Sequence, residues 1–139
     1  MAGYSATPLP QKLGIKPGMV VVLINAPRNY RNLLDLVPLN VKFAGRANRR
    51  TRLVHLFTMR RVDLVRRLSI LRRQIADDAV FWVSWPKKSS GVVTDVTEDV
   101  VREIALPLGF VDVKVCAIDE VWSGLKLVVR RSERRSTLR

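Results

Sequence analysis

The segment over residues 87–91 carries the side chains best suited to bind a charged group. It consists of Lys87, Lys88, Ser89, Ser90 and Gly91. Two ammonium groups attract a phosphate or a carboxylate, and serine hydroxyls and backbone amides can donate hydrogen bonds to the same group. Trp85 ends the apolar run that precedes the segment. We call this segment the lysine–serine loop and predict an anion site there, with an ordinary solvated turn as the competing interpretation.

No other set of residues predicts catalysis or metal binding. His55 is the only histidine and lies inside an apolar run, which indicates a structural role. One histidine and one cysteine cannot form a zinc site, and Cys116 lies in an alternating apolar segment, so we interpret it as buried and inert. Asp119 and Glu120 are adjacent and would point to opposite faces of a strand, which favours turn chemistry. We predict no catalytic residue, no metal and no cofactor.

The apolar periodicity predicts six strands and four helices that position these groups. The strands are expected over residues 19–26, 41–44, 53–59, 79–85, 110–118 and 125–131, and the helices over residues 8–13, 28–37, 61–75 and 95–106. Thr7 is the expected N-cap of the first helix, and Asp95 with Glu98 forms an acidic capping box for the last. A turn around Trp122, Ser123 and Gly124 is expected to join the last two strands.

This alternation predicts an α/β fold with a mostly parallel sheet covered on both faces. Right-handed crossovers allow the strand order 2-1-3-4-6-5, and the short last connection requires an antiparallel final strand. The fold class is therefore a small doubly wound, Rossmann-like sheet of the methyltransferase type, with a strand–helix unit missing from one half. Residues 1–131 are expected to form a single domain, and residues 132–139 a flexible basic tail.

The turn after the first strand lacks the glycines with which such sheets hold a nucleotide. A G-x-G-x-x-G turn lets the backbone approach a phosphate closely. Here the turn reads Asn25-Ala26-Pro27-Arg28-Asn29-Tyr30, and no glycine occurs between Met19 and Ala44. Pro27 also removes one donor amide. We expect the usual dinucleotide or S-adenosylmethionine site to be absent.

Arginines dominate the net charge of +13 and form a second candidate surface. The weak nucleic-acid candidates are Arg46, Arg49, Arg50, Arg66, Arg67 and Arg73. Binding through such residues would be salt-sensitive and largely non-specific, because it relies on phosphate contacts. No recognition motif accompanies these arginines, and a solvated helix face explains them equally well.

Most of the chain resembles a bacterial family known as domain of unknown function 3052 (DUF 3052). The resemblance is carried by WVSWPKKSSGVVTDVTEDVVREIALPLGFVDVKVCAIDEVWSGLKLVVRR, which starts at Trp82, and by the N-terminal GYSATPLPQKLGIKPG. Residues 28–52 fit only loosely. The resemblance implies a cytoplasmic bacterial protein with a Rossmann-like fold and implies no activity. It also adds Trp122 and Ser123 to the candidate ligand site, because they lie in one of the segments that carry it.

Three functions follow as hypotheses. The first is a non-catalytic binding or regulatory domain that uses the lysine–serine loop for an anionic small molecule or a phosphate-bearing partner. The alternatives are a divergent S-adenosylmethionine-dependent methyltransferase relative and non-specific nucleic-acid binding. The longest apolar run, from Met19 to Ile24, is far shorter than the about 20 residues of a membrane helix. No secretory signal is recognisable, so we expect a cytoplasmic protein without membrane contact.

Overall fold

The computed structural model describes residues 7–135, which form six strands and four α-helices. The strands are β1 (Val20–Ile24), β2 (Lys42–Ala44), β3 (Leu53–Phe57), β4 (Val80–Pro86), β5 (Phe110–Ala117) and β6 (Trp122–Val129). The helices are α1 (Leu9–Leu13), α2 (Tyr30–Leu34), α3 (Arg61–Gln74) and α4 (Glu98–Ala105). Three single 3-10 turns occupy Lys88–Ser90, Leu106–Leu108 and Arg131–Glu133.

All six strands form one mixed sheet in the order β2-β1-β3-β4-β6-β5. The first four strands are parallel to one another, and β6 runs antiparallel to both β4 and β5. Every residue of β3 is buried, as expected for a central parallel strand covered on both faces. The predicted fold class and strand order are confirmed.

Two apolar clusters cover the two faces of the sheet. On one face, Leu64, Leu68 and Leu71 of α3 pack with α4 against β3 and β4. On the other face, the short helices α1 and α2 cover a smaller cluster that contains Trp82. The indole Nε1 of Trp82 donates to the carbonyl of Leu13 over 3.0 Å, which ties α1 to the sheet.

The crossover from β2 to β3 carries no helix. It spans only residues 45–52, whereas parallel strands are usually joined by about a dozen or more residues that include one. Ala47 packs against the core, and the buried Thr51 accepts a 3.0 Å hydrogen bond from the Asn48 amide. The loop therefore closes the crossover, but it leaves one flank of α3 without a neighbouring helix.

The first two helices are shorter than the sequence predicts. α1 begins at Leu9 with the extended Pro8 in the N-cap position, so the expected cap at Thr7 is one residue too early. α2 covers only Tyr30–Leu34 instead of residues 28–37. Its end follows from Asp35, whose φ of 61° turns the chain out of the helix three residues before Pro38.

The capping residue of α4 was also predicted wrongly. Thr97 occupies the N-cap, and its hydroxyl accepts a 3.2 Å hydrogen bond from the Val100 amide. Asp95 instead accepts a 2.6 Å hydrogen bond from the backbone amide of Arg61, the first residue of α3. Asp95 thus stabilises the start of a different helix, because the loop before α4 passes over the amino end of α3.

Trp122, Ser123 and Gly124 form the start of β6 and not a turn. They pair with Pro86, Trp85 and Ser84 of β4, and Gly124 leaves room for neighbouring side chains. A Cβ at Gly124 would lie only 3.0 Å from Cδ1 of Ile118, so the glycine serves close packing. The turn lies just before it, where Asp119 Oδ1 accepts hydrogen bonds from the amides of Val121 and Trp122.

Residues 132–135, which belong to the predicted basic tail, contact the carboxyl end of α3. Arg135 donates to Asp77 and to the carbonyl of Ile75, and Arg72 donates to the carbonyl of Glu133. These contacts hold the pKa of the Asp77 carboxyl below its ordinary value, chiefly through the Arg135 hydrogen bond. Residues 1–6 and 136–139 lie outside the described part of the chain, so the domain bounds stay a prediction.

The cap assignment can be tested by replacing Thr97. Thr97→Ala removes the hydroxyl that satisfies a helix-terminal amide and should lower the free energy of unfolding by about 1 kcal/mol. Thr97→Ser keeps the hydroxyl and should stay within a few tenths of a kcal/mol of the parent chain. Urea unfolding followed by circular dichroism measures both, and equal midpoints for the two variants would contradict the assignment.

Candidate functional site

A crevice opens where the strand order reverses, at the carboxyl ends of β1 and β3. From these neighbouring strands the chain leaves in opposite directions, which is where open α/β sheets bind ligands. The crevice has a volume of about 640 Å³. It is lined by Asn25, Ala26, Phe57, Thr58, Met59, Arg60, Val62, Asp63, Arg66 and Trp122. We call it the switch-point crevice.

The β1 turn closes one side of this crevice without glycine. Asn25 follows β1 directly and has a φ of 58°, a left-handed conformation that asparagine tolerates better than most residues. The amide of Tyr30 donates to the Pro27 carbonyl over 3.0 Å, and α2 begins only at Tyr30. The turn therefore keeps a left-handed bend, but it offers a phosphate neither a glycine loop nor a long helix.

Polar groups at the start of α3 are joined into one network beside the crevice. The Thr58 hydroxyl donates to Asp63 Oδ2 over 3.1 Å. Asp63 Oδ1 accepts a 2.9 Å hydrogen bond from Arg67 Nε and lies 3.6 Å from Arg66 Nη2. One carboxylate therefore orients two guanidinium groups, while Arg66 remains about two-thirds exposed, at 64%.

A second cavity of about 360 Å³ continues along the flank of α3 that the crossover loop leaves open. We call it the arginine cleft. It is lined by Ile24, Gly45, Arg46, Ala47, Arg66, Arg67, Ile70, Leu71 and Gln74. Arg66 lines both cavities, so the cleft and the switch-point crevice adjoin each other.

The lysine–serine loop uses most of its hydrogen-bonding groups internally. Ser90 donates its hydroxyl proton to the Lys87 carbonyl over 2.7 Å, and the same hydroxyl accepts from the Val92 amide. The amides of Ser90 and Gly91 donate to the carbonyls of Lys87 and Lys88. The predicted hydroxyl and amide donors are therefore largely engaged in the turn itself, and the two ammonium groups remain.

The eight residues predicted around this loop do not all line one cavity. Trp85, Lys87, Lys88 and Ser123 line a third cavity of about 470 Å³, which we call the lysine cavity. Glu98 and Asp99 line it as well, so two carboxylates oppose the two ammonium groups. Ser89, Ser90 and Gly91 lie outside the lining, and Trp122 lines the switch-point crevice instead.

The arginines proposed for nucleic acid are likewise divided. Arg46, Arg66 and Arg67 line the arginine cleft, whereas Arg49 and Arg50 are exposed in the crossover loop and Arg73 is exposed on α3. A nucleic-acid role for the six stays a prediction. Their sequence positions did not indicate that three of them would surround a cavity, because that requires the fold of residues 45–47 against α3.

His55 lies in a buried chain of hydrogen bonds next to the crevice floor. Its Nδ1 is 2.9 Å from the Tyr30 hydroxyl, and its Nε2 is 2.7 Å from the Ser84 hydroxyl. The ring stacks on Phe57 at 4.3 Å between centroids, and Phe57 contacts Trp122 edge to face. Burial lowers the pKa of His55 to about 3 and raises the pKa of Tyr30. The histidine is therefore fully buried and held in its neutral form, which agrees with the structural role expected from the sequence.

Two further predictions concern isolated residues. Cys116 is half-buried and not fully buried, because β5 is an edge strand; burial raises the pKa of its thiol. Asp119 acts in a turn, as predicted. Within residues 7–135, no group of three or more histidine, cysteine, aspartate or glutamate side chains could hold a metal ion. No helix in this part of the chain is long and apolar enough to cross a membrane.

Sequence reasoning missed the switch-point crevice itself. Thr58, Met59 and Asp63 were assigned to a strand end and a helix without a functional role. The crevice is built from three distant segments, around residues 25, 57–66 and 122, and only the tertiary fold brings them together. The rule that ligands bind at the strand-order reversal indicates the loops after strands 1, 3 and 4 from the sequence, but it does not single out Thr58, Met59 or Asp63.

Comparison with known proteins gives structural likeness only. No family model and no curated protein matches the chain, so membership of the DUF 3052 family stays a prediction. Among solved structures, a Sulfolobus solfataricus protein assigned to the type 11 methyltransferases has a TM-score of 0.60 at 14% identity, covering 94% of this chain and 95% of that one. The fold is therefore methyltransferase-like.

Two other similar structures are much longer than this chain. One is described as a pericyclic reaction enzyme and the other as LepI in complex with SAM. Each has a TM-score of 0.51 at 12% identity and covers 88% of this chain. The alignment spans only 39% of each of those chains.

The neutral His55 predicts how stability depends on pH. The unfolded chain takes up a proton near pH 6.5, whereas the folded chain does so only near pH 3. The contribution of His55 to stability is therefore fully present above pH 6.5 and is lost progressively as the pH drops towards 3. Between pH 7 and pH 5 the free energy of unfolding should decrease by about 2 kcal/mol.

His55→Gln supplies the control for this experiment. Glutamine offers a donor and an acceptor but does not titrate, and His55 is the only histidine of the chain. Urea unfolding at pH 7, 6 and 5 should therefore show the decrease in the parent chain and no such decrease in the variant. A parent chain whose stability does not change over this range would contradict the buried, neutral histidine.

Proposed function

We propose that this protein is a non-catalytic binding or regulatory domain that receives an anionic ligand in the switch-point crevice and the adjoining arginine cleft. The observation that carries the proposal is the placement of Arg66, which lines both cavities. It stands on the long helix α3, beside the strand ends where this class of sheet binds ligands.

The balance of charge favours this position over the lysine cavity. Arg46, Arg66 and Arg67 line the arginine cleft, and Asp63 is the carboxylate that contacts this set. An excess of two positive charges remains, to which Arg60 adds a third at the crevice. Guanidinium groups also bind phosphate and carboxylate in a two-pronged geometry that an ammonium group cannot offer.

The lysine cavity lacks this excess. Its two lysines share the lining with Glu98 and Asp99, and Arg102, which contacts both carboxylates, is also paired with Asp112. An anion there therefore meets about as much negative as positive charge. The lysine–serine loop, which the sequence favours, therefore becomes the second of our two proposed anion sites. Both positions lie on the carboxyl side of the sheet, and the variants described below separate them.

The polar groups around the crevice support binding more than catalysis. A nucleophilic mechanism needs a hydroxyl or thiol within reach of an accessible base. Ser84 and His55 do lie 2.7 Å apart, but both are fully buried. The Thr58 hydroxyl that donates to Asp63 is buried as well, and Asp63 is already paired with Arg67. The low pKa of His55 also makes it a weak base at neutral pH.

Thermal unfolding with inorganic pyrophosphate, at constant ionic strength, tests the proposal. Saturating pyrophosphate should raise the Tm of the parent chain by about 5 °C, because binding stabilises only the folded state. Arg66→Ala should lose most of this rise. Arg73→Ala, which removes the same charge from an exposed position of the same helix, should retain it, and so should Lys87→Ala/Lys88→Ala.

Two outcomes would contradict the proposal. If the double lysine variant loses the rise and Arg66→Ala keeps it, the anion binds at the lysine–serine loop. If Arg66→Ala and Arg73→Ala lose equal parts of it, the effect comes from the total charge and not from a site.

A second candidate function is a methyltransferase relative that binds S-adenosylmethionine without the glycine turn. The structural likeness favours it, and one of the similar structures is a complex with SAM. Against it stand the Asn25-Ala26-Pro27 turn and the surplus of guanidinium groups, which repel the positively charged sulfonium of that cofactor.

Isothermal titration calorimetry distinguishes this second function from the first. We expect no binding heat with S-adenosylmethionine up to millimolar concentration, and we expect S-adenosylhomocysteine to bind no more tightly than adenosine alone. S-adenosylhomocysteine lacks the sulfonium charge, so it serves as the control for simple repulsion. Saturable binding of both would support the methyltransferase relative and overturn our preference.

A further inference from the structure

We propose that the switch-point crevice and the arginine cleft form one two-part site for an organic phosphate of the size of a nucleoside monophosphate. The phosphate occupies the arginine cleft, and the apolar or aromatic part of the ligand occupies the crevice. This inference rests on the proposed function and adds the class of ligand to it.

The two cavities follow one helix face in order. Val62, Asp63 and Arg66 of α3 line the crevice, and Arg66, Arg67, Ile70, Leu71 and Gln74 line the cleft. From residue 62 to residue 74 the helix rises by about 18 Å at 1.5 Å per residue. An elongated ligand can therefore contact both cavities at once, with Arg66 at their junction.

The cleft has the chemistry of a phosphate site. Arg67 Nε is held by Asp63 Oδ1, so that guanidinium group is fixed in orientation before a ligand arrives. Arg46 approaches from the crossover loop on the other side. Gly45, which lines the same cleft, has open space at its Cβ position, so the backbone there is accessible to a ligand. Guanidinium groups from two directions suit a tetrahedral group with several acceptor oxygens.

The crevice has the chemistry of a site for a ring. Phe57 and Trp122 contact each other edge to face at its floor, with 5.0 Å between their centroids. Met59 and Val62 are exposed at its wall, at 46% and 73%. Covering these apolar side chains with a ligand is favourable in free energy, because it removes their surface from water. The Thr58–Asp63 pair beside them can orient polar groups of the ligand.

The charge of Arg46, in the crossover loop, is available to a ligand. Arg46 stands two residues after β2 and has no carboxylate partner among the described residues. Its charge is therefore available to a ligand, whereas that of Arg52, in the same loop, is engaged by Asp78.

Calorimetry with four probes at constant ionic strength tests this inference. The probes are AMP, adenosine, ribose 5-phosphate and inorganic phosphate. AMP should bind at least tenfold more tightly than any of its parts, because only AMP fills both cavities. Arg46→Ala should weaken AMP and ribose 5-phosphate about tenfold and leave adenosine unchanged.

Matched variants assign the two halves of the site. Arg49→Ala removes the same charge from an exposed position of the same loop and should leave AMP binding unchanged. Met59→Ala should weaken AMP and adenosine severalfold and leave ribose 5-phosphate unchanged. The substitution should not disturb the loop, because Met59 accepts the hydrogen bond from Thr94 through its backbone carbonyl.

The failures of the two proposals are distinguishable. If ribose 5-phosphate binds as tightly as AMP and Arg66→Ala still abolishes pyrophosphate binding, the proposed function stands and the two-part site is wrong. If Arg46→Ala and Arg49→Ala weaken AMP equally, the cleft is not a phosphate site. If no phosphate compound binds, both proposals are overturned.

Discussion

The parallel pairing of β1 with both β2 and β3 is the constraint from which the candidate site follows. The chain must pass from β2 across β1 to reach β3, and it does so in residues 45–52 without a helix. The strand ends therefore separate into a crevice, while one flank of α3 keeps no helical neighbour. Two adjoining cavities along α3 are the consequence, and arginines from α3 and from the loop line them.

A buried polar chain supports the floor of that crevice. Tyr30, His55 and Ser84 come from α2, β3 and β4, so their hydrogen bonds connect three elements beneath Phe57. Because the neutral imidazole has one donor and one acceptor, one hydroxyl donates to it and the other accepts from it. A polar group of this network that lost its hydrogen bond would be costly in the apolar surroundings. The network therefore favours a single arrangement of the aromatic side chains.

The sequence predicted the fold better than the site, for physical reasons. Unbroken β-branched runs and a short last connection are local signals, and they were enough to predict the strand order. Gly124 is typical of a turn in sequence, but in the structure it leaves room on the face of the sheet for the side chains of Ile118 and Ser84. Asp95 and Thr97 both have N-cap chemistry, and only the path of the loop over α3 decides which helix each one stabilises. The crevice depends on segments about 100 residues apart, which no local pattern brings together.

The central claim is that anions bind along α3 and not at the lysine–serine loop or over the whole basic surface. An NMR titration of the ¹⁵N-labelled protein with AMP tests it directly, because backbone amides and arginine Nε–H groups report the contact residue by residue. We predict shifts confined to residues 24–26, 45–47, 57–74 and the neighbourhood of Trp122, with the Nε–H signals of Arg46 and Arg66 among the largest. Shifts confined to residues 87–91, or spread evenly over exposed arginines such as Arg49 and Arg73, would contradict the account.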